Sequence, residues 1–272
     1  MVELYTGDVV AATSSKGNQE KWFDRQNNKW YKLDTYGLES LAEAVAGDIL
    51  KQSNIENELG FKIVQYTVEN VAAHGKNRIC CVSNNFLNND EELITFAHLL
   101  KQSIGPDFQA VITKKRTIGQ RLSFIVDSVQ SITGLNRIGQ YLTLLFECDA
   151  LILNEDRHLN NIAVIYSPRG YDYCPIFDNG TSFLLDLGAY PLDVDTKSFI
   201  SGVIARPFQC SFRAQVASAR KIYGSQLHLS ITGNEVSKIV AEHVSAYPKM
   251  YVPYLEDRIK TIVLQQHKML SR

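Results

Sequence analysis

The chain has 272 residues, enough for one large domain or two lobes, and its 45% apolar and 21% charged content is that of an ordinary globular protein. A net charge of -1, from 28 basic against 29 acidic residues, excludes the basic footprint of a direct nucleic-acid binder, and Lys114-Lys115-Arg116 is too short to supply one. No apolar run approaches the roughly 18 to 20 residues that cross a bilayer, and Met1 to Asp8 has no signal-like apolar segment, so a soluble, cytoplasmic chain with no membrane partner is expected.

The first third alternates short apolar runs with turns. Strands are expected over Asp8 to Ala12, Trp22 to Asp24, Trp30 to Asp34, Ile63 to Glu69 and Ile79 to Val82, punctuated by Gly17 and Asn27-Asn28. Between them, Leu38, Leu41, Ala42, Val45, Ala46, Ile49 and Leu50 recur at helical spacing and predict an amphipathic helix. Beyond Asn84-Asn85 the pattern turns helical, over Asp90 to Ser103, Ile118 to Ser131 and Asn136 to Leu153. Thr232-Gly-Asn-Glu235 has the form of a capping box ahead of another helix, and a last helix runs from Val252 to Met269 with Pro253 in its first turn. The five cysteines, at 80, 81, 148, 174 and 210, show no repeated metal spacing and read as buried thiols of a reducing compartment. A strand-rich part (residues 1–84) followed by a helix-rich part (residues 85–272) predicts an α+β fold of two lobes with a cleft between them.

The residues that carry chemistry lie near one hairpin. Ile162-Ala-Val-Ile165 and Tyr173-Cys-Pro-Ile-Phe177 flank Ser167-Pro-Arg-Gly170, which has type I turn residues. With the loop centred between Arg169 and Gly170, Asn161 and Asp178 would face each other at the open end, with Asp156 on the loop just before them. A carboxylate, an amide and a second carboxylate in one region suit phosphoryl transfer, where an acid orients the acceptor hydroxyl and hard oxygen ligands hold a metal on the phosphates. Lys32, in the apolar strand Trp30 to Asp34, is placed to grip phosphate, with a carboxylate from the following helix to hold it; Glu39 is favoured and Glu43 is second. His158 would brace the loop, and the segment Thr181 to Gln209, with Arg206-Pro-Phe208, is where an acceptor would dock.

These residues resemble the HipA-like serine/threonine kinases, in particular short members without the extra N-terminal subdomain. The resemblance runs from Ser14-Ser-Lys-Gly-Asn-Gln-Glu-Lys21 through Lys32 to Asp156-Arg-His-Leu-Asn-Asn161 and Phe177-Asp178, so it covers most of the chain. It implies a two-lobed protein-kinase-like fold using ATP and Mg2+, with catalytic Asp156, His158 and Lys32 and with Asn161 and Asp178 as metal ligands. It further implies nucleotide contacts from Ser14, Ser15, Gly17, Asn18, Gln19, Lys32 and Glu39 and from a hinge at Cys81, Val82 and Ser83, with Ser14 open to autophosphorylation. The implied partners are a protein substrate carrying Ser or Thr and, as in toxin-antitoxin pairs, a helix-turn-helix antitoxin. Asp156-Arg-His is also the form seen in phosphoinositide kinases, which leaves a lipid or small-molecule kinase, or an ATP-binding pseudokinase module, as alternatives.

Overall fold

The protein, seen in a computed structural model, is described over residues 2–4, 19–35 and 37–271. The expected strand Asp8 to Ala12 and the contacts expected of Ser14, Ser15, Gly17 and Asn18 lie outside the described residues.

A five-stranded sheet has the order β1-β4-β5-β3-β2, from β1 (Val2–Leu4), β2 (Lys21–Asp24), β3 (Lys29–Leu33), β4 (Thr67–Ala73) and β5 (Lys76–Asn84). The β4–β5 turn is the two-residue pair His74-Gly75, both at positive φ (53° and 70°), a twist that matches paired strands. On β3, Tyr31 and Leu33 enter a small core with Trp22, Val71, Cys80 and Val82, which sends Trp30 and Lys32 to the other face. Helix α1 (Glu39–Lys51) packs against β3, β4 and β5 and meets α8 (Gly233–His243) as well. Buried from two sides, it hides ten of its thirteen residues, Ser40 and Glu43 among them. The expected strand at Ile63 to Glu69 starts late, at Thr67; Ile63 instead makes an isolated parallel bridge with Ile176.

The remaining helices are α2 (Phe96–Ile104), α3 (Phe108–Thr113), α4 (Ile118–Thr133), α5 (Ile138–Ile152), α6 (Thr196–Ile200), α7 (Phe212–Tyr223) and α9 (Val252–Leu270). They share one apolar core with α1, around the almost wholly buried α5. The expected capping box is formed by Thr232 with Glu235, and a second, not expected from the sequence, by Thr117 with Gln120. The helix expected from Asp90 begins only at Phe96. Glu92–Thr95 form β6 instead, because the edge of β7 (Ala163–Ser167) is open to them and Thr95 then caps α2 through the amide of His98. β8 (Gly170–Tyr173) completes a three-stranded sheet of order β6-β7-β8. None of the described helices is long and apolar enough to cross a membrane.

Gly37 sets the entry to α1. A Cβ there would stand 2.4 Å from the carbonyl oxygen of Leu185, whose oxygen also accepts the amide of Leu38 at 3.2 Å. Backbone cannot swing aside as a side chain can, so Gly37→Ala should cost about 1–3 kcal/mol, read as a lower urea midpoint with unchanged m value.

Candidate active site

The hairpin is present, but its register differs from the sequence expectation. Ser167 pairs with Gly170 and Val164 with Tyr173, so the turn centres between Pro168 and Arg169, one residue earlier than expected. Pro168 takes the second position of the turn, and Ser167 Oγ accepts the amide of Arg169 at 3.2 Å. Pairing stops at Tyr173, and extending this register would set Asn161 against Ile176 rather than Asp178.

A buried guanidinium, not strand pairing, gathers the two segments. Arg157, 1% exposed, donates through Nη1 to the carbonyl oxygens of Asn161 (3.2 Å) and Phe177 (2.6 Å). Its Nε reaches both carboxylate oxygens of Asp149 at 3.1 Å, and Nη2 reaches Asp149 Oδ1 at 3.0 Å and Asn179 Oδ1 at 2.7 Å. Burial alone would lower the Arg157 pKa, but Asp149 outweighs it and holds the group above its ordinary value. Asn154 adds a strut: it donates to Asp149 Oδ1 at 2.9 Å and accepts from Thr181 Oγ1 at 2.6 Å.

The loop itself is tightly wound. Asn161 Nδ2 donates to the carbonyl of Asp156 at 3.0 Å, and the amide of His158 donates to the same oxygen at 2.8 Å. Leu159 and Ile162 carbonyls accept the first amides of α2, from Ala97 and Phe96, which ties the loop to a rigid element. His158 Nε2 lies 3.6 Å from Asp156 Oδ2, and Arg206 Nη1 lies 2.7 Å from Asp156 Oδ1.

Across the cleft, Lys32 Nζ meets Glu43 Oε1 at 2.5 Å and Asp178 Oδ1 at 2.9 Å. Glu43 Oε2 accepts the amide of Asn179 at 2.8 Å, which closes a ring from β3 through α1 to the Asp178 segment. The lysine partner is therefore Glu43 and not the favoured Glu39. Glu39 opens α1 and turns back to the amides of Thr35 and Gly37, whereas Glu43 lies one turn deeper, wholly buried beneath Lys32. Asp178 has positive φ (62°), a conformation Asp tolerates better than most residues. Burial pushes its carboxyl up, but Lys32, then Lys21 and Arg157, bring it well below the usual carboxylate range. For Lys32 the order is the same: burial lowers it, and Asp178 and Glu43 carry it well above its ordinary value.

Beside this ring opens a cavity of about 600 Å3 walled by Trp30, Tyr66, Ile94 and Phe177, with Lys21, Lys32 and Asp178 at its charged end. Its size and its mostly apolar wall with a few convergent charges suit a flat heterocycle bearing phosphates. Of the expected hinge, Ser83 lines the cavity, followed by Asn85, Phe86 and Leu87, while Cys81 and Val82 are buried in cores on opposite faces of β5. Gln19 binds the carbonyl of Leu33 at 2.8 Å, and Lys21 stands in the cavity beside Lys32. Sequence reasoning assigned no task to Arg157, Asp149, Asn154 or Asn179. The one available signal was the pair Glu147 and Asp149, two acids in the otherwise apolar final turns of α5.

The residues fit a hard divalent cation. Asn161 Oδ1 is buried and has no hydrogen-bond partner among the described residues, and with the Asp178 carboxylate it offers the amide and carboxylate oxygens that Mg2+ takes. The described His, Cys, Asp and Glu side chains also include a group that could hold a metal ion, Asp48, Glu242 and His243, none of which lines the cavity.

A strand-rich sheet with one buried helix, set against a helical body with the charged cleft between them, defines the two-lobed α+β kinase-like fold. No protein-family model and no curated protein matches the chain. Among solved structures, the proinflammatory kinase CtkA of Helicobacter pylori matches at a TM-score of 0.58 and 15% identity, over 98% of both chains. A chain of the Shewanella oneidensis MR-1 toxin-antitoxin complex of HipA, HipB and operator DNA matches at 0.44 and 11% identity, over 97% of this chain and 66% of that one. At 15% identity the first likeness shows the fold.

The charged ring predicts an unequal response to pH. The Asp178 contribution is present above the unfolded carboxylate pKa near 4 and is lost as pH falls below it, because its folded value is depressed. The Lys32 contribution is present below about pH 10.5 and is lost only as pH rises through its elevated folded value. Lys32→Ala strands two buried carboxylates and should cost about 3–5 kcal/mol near neutral pH, a deficit that shrinks toward pH 3, as urea melts across that range would record. Glu43→Gln should destabilise more than Glu39→Gln in the same assay.

Proposed function

We propose that the chain is a Mg-ATP-dependent serine/threonine protein kinase of HipA-like type. The observation that carries the proposal is the ring of Glu43, Lys32 and Asp178 beside the unpartnered Asn161 Oδ1, at the charged end of a cavity sized for a nucleotide. Lys32 grips the α/β-phosphates, Glu43 orients Lys32, and Asn161 and Asp178 hold Mg2+, which when bound neutralises phosphate charge. Asp156 orients the acceptor hydroxyl and takes its proton. The acceptor oxygen bonds to the γ-phosphorus while the bond from that phosphorus to the β,γ-bridging oxygen breaks, and the electron pair leaves on ADP. The Arg157 network fixes Asp156, Asn161 and Asp178 relative to one another, the preorganisation this chemistry needs.

The same proposal assigns residues 1–84 to the nucleotide-gripping lobe and residues 85–272 to the catalytic lobe; β5 ends at Asn84, where the cavity wall passes to Asn85, Phe86 and Leu87. It takes Ser14 as a site of autophosphorylation, a cytoplasmic location, and a helix-turn-helix antitoxin as a partner, the last supported by resemblance alone.

Incubation with labelled ATP and Mg2+ should label the chain or an added Ser/Thr protein, with acid-stable phosphate. Asp156→Asn should lower turnover by about 10²–10⁴-fold while Mg-ATP affinity by calorimetry stays close to wild type. Label confined to an organic-extractable lipid would contradict the protein-kinase assignment, and binding with no turnover would mark a pseudokinase.

A further inference from the structure

Arg206 sits in the segment where an acceptor is expected to dock. Its Nη1 donates to Asp156 Oδ1 at 2.7 Å across fifty residues of sequence. A pair of exposed, flexible charges contributes little by itself, but the loop beneath this one is anchored at several points. Ala205 and Cys210 exchange both backbone hydrogen bonds, at 2.7 and 3.3 Å, and the buried Gln215 of α7 donates Nε2 to the Arg206 carbonyl at 2.9 Å. Phe208 packs on Phe146 of α5, with ring centroids 5.8 Å apart. The backbone of Arg206 is thus held by the helical body while its side chain, 51% exposed, is presented to the open face of Asp156. Its Nε and Nη2 have no hydrogen-bond partner among the described residues.

Taking the kinase assignment above as given, we propose that Arg206 is the acceptor-side cation of the reaction. Nη1 orients Asp156 and leaves Oδ2 for the acceptor hydroxyl, and the free edge of the guanidinium binds oxygens of the phosphoryl group in transit. Lys32 cannot serve there, because Glu43 and Asp178 hold it at the other wall. A planar guanidinium can bridge a carboxylate and a phosphoryl oxygen at once, which the point charge of a lysine does less well. Arg206 keeps all its protons throughout: the acceptor proton goes to Asp156, the new bond joins acceptor oxygen to γ-phosphorus, and the broken bond leaves its electron pair on ADP.

The test compares wild type with Arg206→Ala, Arg206→Gln and Arg206→Lys, measuring ATP turnover with water, with the chain itself and with dephosphorylated casein as acceptors. Loss of a transition-state cation should lower kcat by about 10²–10³-fold in Arg206→Ala. Mg-ATP affinity by calorimetry and the thermal midpoint should stay near wild type. Arg206→Lys should recover part of the loss, and millimolar guanidine should partly restore Arg206→Ala, which a merely structural role would not allow. If Arg206→Ala does not fold, Arg206→Gln carries the same expectations. Wild-type turnover with a kcat in Arg206→Ala that is unchanged or raised overturns the role of Arg206 alone, as does a loss of Mg-ATP affinity that accounts for the whole effect. Absence of turnover in wild type under every acceptor overturns the kinase assignment and this role with it.

Discussion

The site depends on one buried guanidinium. Arg157 has five N–H donors and engages acceptors on four residues of three segments: Asp149 at the end of α5, Asn161 on the loop, and Phe177 and Asn179 on either side of Asp178. A buried charge carries a desolvation penalty of several kcal/mol unless its partners are well placed, so these segments tolerate little displacement. A pair of this kind adds little net stability compared with apolar packing, but it defines geometry. Removing Asp149 alone would leave a buried cation without its hydrogen-bonded carboxylate, with only the longer-range charge of Asp178 to offset it.

The second constraint is the burial of Glu43. Helix α1 is packed by the sheet on one side and by α8 on the other, and its entry is pinned at Leu185 and by the Tyr247 hydroxyl, which donates to Asp34 and accepts the amide of Leu41. Burial pushes the Asp34 carboxyl up to about 6 despite those hydrogen bonds. With α1 so fixed, Glu43 reaches Lys32 through one oxygen and the Asn179 amide through the other. The lysine on the sheet and the aspartate on the helical body are thereby set by a single carboxylate, and the shape of the charged end of the cavity follows from α1.

Local pattern made much of this legible. The periodicity from Leu38 to Leu50 marked α1 within a residue, Thr232 to Glu235 marked a capping box that is formed, and the isolated Lys32 in an apolar strand pointed to the cleft. Errors arose where a neighbour decided the outcome. Glu92–Thr95 became a strand because β7 offered an edge, and Glu39 lost to Glu43 because the depth of each along α1, invisible in a list of i and i+4 positions, determines which faces Lys32. The hairpin turn was recognised from Ser167 to Gly170, yet its register was placed one residue late, and it is Arg157 that joins the backbone of Asn161 to that of Phe177.

By itself, the sequence determined the residue types of the site and their order along the chain: a lysine on a strand, an acid on the next helix, then Asp156, Asn161 and Asp178. It did so because apolar periodicity and turn chemistry act over a few residues and are written locally. Only the tertiary structure decided which acid meets Lys32, that Arg157 binds the loop to the Asp178 segment, and that Arg206 faces Asp156. Those contacts join groups 11 to 146 positions apart, and whether such groups meet is set by burial and packing of whole elements rather than by any spacing between neighbours.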